Sequence, residues 1–197
     1  MLANELERAP GDDPGTEWML RYQRGDEQAF DLLVERYSPR VYGLLTRFLG
    51  PAPNREDLVQ EVFLRVIRAR QRYQPAARFS TWLYSIVFHL SVNQGERRRP
   101  GRSLDAAPEH EEWSDERAPA PSAALEELDR VEAVRAAVEA LPARQRMAIV
   151  LAKYEGLAYD QVGVALGLSE KAVKSLIHRA RESLRERLAA FLEEETA

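Results

Sequence analysis

The stretch Tyr159 to Arg181, YDQVGVALGLSEKAVKSLIHRAR, leaves the chain few ways to fold, because its glycines, cap and apolar spacing all ask for one local geometry. It reads as two short helices joined by a tight turn. The first would bury Val162 and Leu166, Gly167 would supply the left-handed turn residue, and Leu168, Val173 and Leu176 would close a small core between the helices. Gly163 permits close packing. Ser169 stands at the N-cap of the second helix, where Val173, Ile177, Ala180 and Leu184 recur as one apolar stripe. The opposite face presents Lys171, Lys174, Ser175 and His178, flanked by Arg179, Arg181 and Arg185. Such a face suits the major groove of DNA, where phosphates need counter-charge and base edges need hydrogen-bond partners. A helical hairpin with a solvated basic face is the plainer alternative; the coincidence of glycine, cap, core spacing and charge argues against it.

Composition narrows the rest. A chain of 197 residues with 45% hydrophobic content can fill one modest core or two small ones. No apolar run is long enough to span a bilayer, and the opening MLANELERAPGDDPG lacks the basic-then-apolar order of a secretory signal, so a cytoplasmic location without membrane insertion is expected. The absence of cysteine excludes disulfides, thiolate nucleophiles and thiolate metal sites. His89, His110 and His178 are scattered, GxGxxG and GxxxxGK patterns are missing, and Asp57 with Glu61 has no histidine nearby; neither an enzyme nor a metal or other cofactor is expected. A net charge of −4 conceals segregation, since the acids from Asp105 to Asp129 are opposed by the single Arg117 and separate two basic regions.

The expected fold class is all-α: two small helical bundles joined by a flexible acidic linker, the C-terminal one containing the helix-turn-helix. Residues 1–16 are expected to be disordered, 17–100 to form the first bundle, 101–124 the proline-rich linker, 125–192 the second bundle and 193–197 a tail. Glu17 to Arg24 reads as a short helix ended by Gly25. Asp26 then caps a longer one, in which Phe30, Leu33, Val34, Tyr37, Val41, Leu44, Leu45 and Phe48 recur until Gly50 and Pro51; Pro39 breaks or kinks it. Asn54 is the expected cap of DLVQEVFLRVIRA, residues 57–69, with Leu58, Val59, Val62, Phe63, Val66 and Ile67 buried. Its other side, Asp57, Gln60, Glu61, Leu64 and Arg65, is a mixed acidic and apolar patch suited to a partner's basic helix, or an ordinary solvated face. YQPAARFST, residues 73–81, is a loop into a helix capped by Ser80, which buries Leu83, Ile86, Val87 and Leu90 and runs out at Gly95. Trp82, Ser85, His89 and Asn93 share another face of it, beside Arg97, Arg98, Arg99 and Arg102. Cations next to flat groups are what single-stranded nucleic acid requires, although Phe79 and Trp82 serve equally well as core. Leu125 to Leu141 restores a helical pattern, and Pro142 opens another helix that ends near Gly156.

With those pieces in order, residues 17–191 resemble a sigma factor of the extracytoplasmic-function group, the small two-domain initiation factors of bacterial RNA polymerase. GDEQAFDLLVERYSPRVY resembles the start of the promoter-melting domain, DLVQEVFLRVIRA the helix that docks on the polymerase clamp, FSTWLYSIVFHLSVNQGERRR the element that opens and reads the −10 region, and LPARQRMAIVLAKYEGLAYDQVGVALGLSEKAVKSLIHRARESL the −35-reading domain. The resemblance implies binding to core polymerase through the clamp helices of the beta-prime subunit and the beta flap, direction of the enzyme to promoter DNA, and melting without catalysis. It assigns Asp57, Gln60, Glu61 and Leu64 to the polymerase, and Phe79, Ser80, Trp82, His89, Asn93, Arg97 and Arg98 to −10 DNA, with loop 73–80 receiving a flipped base. It assigns Ser169, Lys171, Lys174, Ser175, His178, Arg179 and Arg181 to the −35 element. An anti-sigma protein is an implied partner, and no obligate homo-oligomer is expected. His89, Ala172 and Leu176 depart from the asparagine, threonine and arginine frequent in the group. Two other readings remain for the residues themselves: a stand-alone helix-turn-helix regulator that binds an operator without polymerase, and an adaptor that sequesters another protein.

Overall fold

The computed structural model describes residues 13–50, 55–97 and 122–189, without the side chains of 93–97 and 122–129. Eight α-helices lie among the described residues: α1 Gly15–Gln23, α2 Glu27–Leu49, α3 Arg55–Ala69, α4 Phe79–Arg97, α5 Ser122–Glu139, α6 Ala143–Lys153, α7 Tyr159–Leu166 and α8 Glu170–Arg187. A 3-10 turn, Arg70–Arg72, follows α3, and no strand occurs among the described residues.

Local chemistry sets most of the boundaries. Between α1 and α2, Gly25 adopts φ 104°, and Asp26 accepts the Ala29 amide at 3.3 Å through one carboxylate oxygen and the Arg21 guanidinium at 2.9 Å through the other. An acceptor at this position satisfies an amide that has no partner inside the helix. Helix α2 runs through Pro39 unbroken, so of the two alternatives left open by the sequence the break is absent; the ring lies on the exposed side while Tyr37, Val41, Leu44 and Leu45 are wholly buried. Burial of that stripe outweighs the lost backbone hydrogen bond. The helix ends at Gly50, with φ 70°.

Other boundaries differ from the expectations. Helix α1 begins at Gly15, and Asp13 ahead of it already makes side-chain contacts, so ordered structure precedes residue 17. The proposed cap Asn54 lies outside the described residues, as do 101–121 of the linker and the tail 193–197. Helix α4 begins at Phe79, placing Ser80 inside its first turn rather than at its cap, and it continues past Gly95 to Arg97. A glycine inside a helix costs only about 1 kcal/mol, which does not suffice to end one. Helix α5 starts at Ser122, earlier than residue 125. Ile67, expected in the buried stripe of α3, is 40% exposed and joins Leu64 on the surface.

The first bundle comprises α1 to α4 around Trp18, Tyr37, Leu44 and Phe79, all fully buried; the second comprises α6 to α8 around Met147, Leu151, Val162 and Val173. The bundles pack on each other, α7 against α4 and α6 against α2, and their cores form one cluster. Polar contacts pin the seam. The Tyr84 hydroxyl, on α4, donates to the Glu155 carboxylate at 2.6 Å. Burial, then the neighbouring Glu155 charge, pushes the Tyr84 pKa up, so the phenol keeps its proton. Arg146 on α6 donates to the Phe48 carbonyl at 2.7 Å, to the Leu141 carbonyl at 3.2 Å and to that of Glu139. One guanidinium thus meets the negative ends of α2 and α5 together. Arg47 lies over the Tyr154 ring at 4.9 Å from its centroid.

Candidate nucleic-acid interface

The turn between α7 and α8 is built as its residues require. Gly167 adopts φ 65° in the left-handed region, and the Leu168 amide donates back to the Gly163 carbonyl at 2.8 Å. A Cβ on Gly163 would lie 2.6 Å from the Leu168 carbonyl oxygen, so the approach of turn to helix needs a residue without one. Ser169 caps α8, its hydroxyl accepting the Ala172 amide at 3.3 Å. Val173, Ile177 and Ala180 are buried and Leu176 is half-buried against them.

These contacts turn the predicted polar face outward. Ser169, Lys171, Lys174, Ser175, His178, Arg179 and Arg181 are all exposed. The face is internally organised. The Glu170 carboxylate sits 2.7 Å from the Lys174 ammonium and, by this hydrogen bond, raises the lysine pKa; Glu182 lies 3.3 Å from His178. Arg179 donates through Nε to the Ser175 carbonyl at 3.2 Å, which holds its fork along the helix. A shallow cavity of about 470 Å³ lies beside this face, lined by Ser169, Lys171, Ser175, Leu176, Arg179 and also Arg144 from the start of α6. Arg144 is not among the residues expected from the sequence; the basic pair in LPARQR ahead of the helix-turn-helix is its signal.

The −10 residues separate into two kinds. Phe79 is 0% exposed, with its ring centroid 5.0 Å from that of Tyr37 and 5.6 Å from that of Trp82, and Ser80 is buried as well. Neither presents a surface to DNA in this conformation, which corrects their assignment as contacts: Phe79 supports the loop and Ser80 anchors it. Trp82 is half-buried, 4.8 Å from the Tyr73 ring, and His89 is exposed along the same helix. Asn93 and Arg97 lie on α4 beyond the described side chains, and Arg98 lies outside the described residues.

On α3, Asp57, Gln60 and Leu64 are exposed. Glu61 is half-buried and accepts from Arg65 at 3.0 Å and Arg68 at 3.4 Å. The Arg65 hydrogen bond is the main reason its carboxyl is held below the usual range. The acidic patch is therefore partly neutralised from within, and Asp57 is its outward charge. Among the described residues no group of three His, Cys, Asp or Glu is placed to hold a metal ion, and no helix is long and apolar enough to cross a membrane.

A helix-turn-helix with an outward cationic face, packed against a bundle that carries an acidic-apolar patch, has the form of a DNA-binding module. Comparison with known proteins gives the family. Residues 33–100 match Sigma-70 region 2 and residues 131–184 match Sigma-70, region 4. The chain is 37% identical over 183 residues to the ECF RNA polymerase sigma factor SigE of Mycolicibacterium smegmatis, covering 91% of this chain and 70% of the relative. Its structure is similar to that of CnrH in complex with the cytosolic domain of CnrY, with a TM-score of 0.67, 26% identity, and coverage of 91% of this chain and 99% of the other. The fold is shared with the sigma factor RpoE in complex with the anti-sigma factor NepR from Bartonella quintana, at TM-score 0.57 and 21% identity, over 80% and 93% of the two chains. The chain belongs to the extracytoplasmic-function sigma factors of bacterial RNA polymerase, and its function is to direct that enzyme to promoters.

Proposed function

We propose that the three surfaces divide the work of initiation. Asp57, Gln60 and Leu64, with Ile67 beside them and Glu61 set back in its ion pairs, dock on basic residues of the polymerase clamp. Lys171, Lys174, Ser175, His178, Arg179 and Arg181 enter the major groove at the −35 element, with Arg144 reaching the flanking phosphate. The loop 73–80, with Trp82 and His89, captures a base from the non-template strand at −10. Opening duplex costs about 1.4 kcal/mol per step. A captured base returns about 1 to 3 kcal/mol. One or two captured bases thus bias melting without nucleotide hydrolysis. The observation that carries this reading is the outward cationic face of α8 on a helix-turn-helix whose turn, cap and core are complete.

An anti-sigma protein is the regulatory partner of this reading. A groove of about 460 Å³ at the seam, with Val131, Val134, Val138 and Val150 as floor and Arg47, Arg130 and Arg135 at its rim, suits an amphipathic helix with acidic flanks. The test of the whole reading is run-off transcription with purified chain and sigma-free core polymerase on genomic fragments. A specific transcript that disappears with Asp57→Lys supports it. Tight operator binding without polymerase, indifferent to Asp57→Lys, would favour a stand-alone regulator instead.

A further inference from the structure

We propose that α1 and the residues leading into it brace the loop between Tyr73 and Ser80 at both ends, with Asp13 and Gln23 as positioning residues that hold it in the shape needed to receive a base. The inference rests on the reading of that loop as the −10 capture element. Both residues precede residue 33, where the match to Sigma-70 region 2 begins.

At the far end of the loop, one Asp13 carboxylate oxygen accepts the Ser80 amide at 3.1 Å and the Ser80 hydroxyl at 2.7 Å. The other accepts the Tyr37 hydroxyl and, at 3.3 Å, the Gly15 amide. The Ser80 amide belongs to the first turn of α4 and has no acceptor within its own helix, so a carboxylate from the segment just ahead of α1 caps that helix from across the bundle and meets its positive end. Gly15 lies against the same junction: a Cβ there would sit 2.6 Å from Phe79 Cγ and 2.7 Å from the Tyr37 oxygen. At the near end, the Gln23 amide nitrogen donates to the Arg70 carbonyl at 2.6 Å and to the Tyr73 carbonyl at 2.9 Å. Between the two clamps the loop keeps its own turn, Ala76 amide to Gln74 carbonyl at 2.8 Å, and Gln74, Pro75, Ala76 and Arg78 stay exposed.

Anchoring α1 does not require these polar groups. Trp18, Met19 and Tyr22 already bury it, each at most 3% exposed. What the polar groups add is a fixed span for the loop, and a pocket for an unstacked base gains affinity when its walls need no ordering on binding.

The experiment uses the wild-type chain, Asp13→Ala, Asp13→Asn or Gln23→Ala, free for binding to core polymerase and assembled as holoenzyme for binding to DNA. Three affinities are measured: for core polymerase, for duplex carrying the −35 element alone, and for the non-template single strand of a mapped −10 element. Asp13→Ala should weaken single-strand binding by more than about twofold and up to about thirtyfold, the range of a lost helix cap, and Gln23→Ala should weaken it in the same direction. Core and −35 affinities should stay within about twofold, as for a surface change. Asp13→Asn keeps an acceptor and should recover part of the loss. Unchanged single-strand binding, or an equal fall in all three affinities, overturns the brace. Wild-type holoenzyme without affinity for the single strand would instead remove the loop assignment on which the brace rests.

Discussion

Lys174, proposed to meet DNA at the −35 element, is half of a pair, since Glu170 lies one turn behind it at 2.7 Å and holds its proton more firmly. A phosphate approaching Lys174 has to displace that carboxylate, so the neighbour weakens contact without touching DNA. Each phosphate contact contributes about 0.9 to the slope of log affinity against log salt. Lys174→Ala should therefore flatten the slope for −35 duplex by about one, and Glu170→Gln should raise affinity at fixed salt. Slopes from binding isotherms over a salt series decide this; no change for Lys174→Ala would place the side chain away from phosphate. Asp26 makes a prediction of another kind. Its carboxyl is held below its ordinary value, chiefly by the Arg21 hydrogen bond and against a smaller cost of burial. A group whose folded pKa is depressed stabilises fully above its unfolded pKa and loses that contribution as pH falls through the folded one. Urea midpoints should consequently fall as pH drops from about 4 downward, and Asp26→Asn, which retains the cap acceptor, should flatten that dependence.

Among the elements, the α7 turn α8 unit was legible because everything that specifies it is local: the left-handed Gly167, the Ser169 cap and the stripe Val173, Ile177, Ala180 all lie within a few residues of one another. Its tightest point is Gly163. Gly163→Ala would drive a methyl into the Leu168 carbonyl, a backbone atom that cannot rotate away, and overpacking of this kind costs about 1 to 3 kcal/mol. Chemical unfolding should show that loss together with weaker −35 binding, because the shift that relieves the clash re-aims α8; full stability in the alanine variant would mean the turn has slack. Helix α4 was less legible. Leu83, Val87 and Leu90 followed from periodicity, but Tyr84, Phe88 and Ser91 are buried too: Tyr84 reaches Glu155 across the seam and Phe88 lies edge-on to Phe48, neighbours far away in sequence. Asp13 was hidden for the same physical reason. Its partner Ser80 is 67 positions away, and no local pattern announces a cap supplied from that distance. Ile67 misled in the opposite sense, fitting the stripe of α3 in spacing while remaining 40% exposed among the described residues.

For the molecule as a whole, the joined core poses a geometric problem that the contacts at the seam sharpen. A compact chain of this length has a radius of gyration of about 16 Å. Promoter elements centred about 25 base pairs apart lie some 85 Å apart along the duplex at 3.4 Å per step. If the two bundles read these two elements as proposed, the packed arrangement cannot span both, and α7 has to leave α4 when the factor settles on polymerase and promoter. Tyr84 to Glu155, Arg146 to the Phe48 carbonyl, and Arg47 on Tyr154 are the contacts that separation breaks. Hydrogen bonds to charged groups contribute about 1.5 to 3 kcal/mol each. Tyr84→Phe with Glu155→Ala should thus shift the balance between packed and separated bundles by roughly tenfold or more toward separation. The chain has no cysteine, so Gln71→Cys and Glu186→Cys provide two unique sites for a dye pair on exposed positions of the two bundles. Energy transfer should fall when core polymerase is added to the labelled parent, and should already be lower without polymerase in the seam variant, which in turn needs less core for half-saturation. Transfer that stays constant through polymerase binding, in parent and variant alike, would mean that the bundles do not separate there and that the seam contacts set no barrier to initiation.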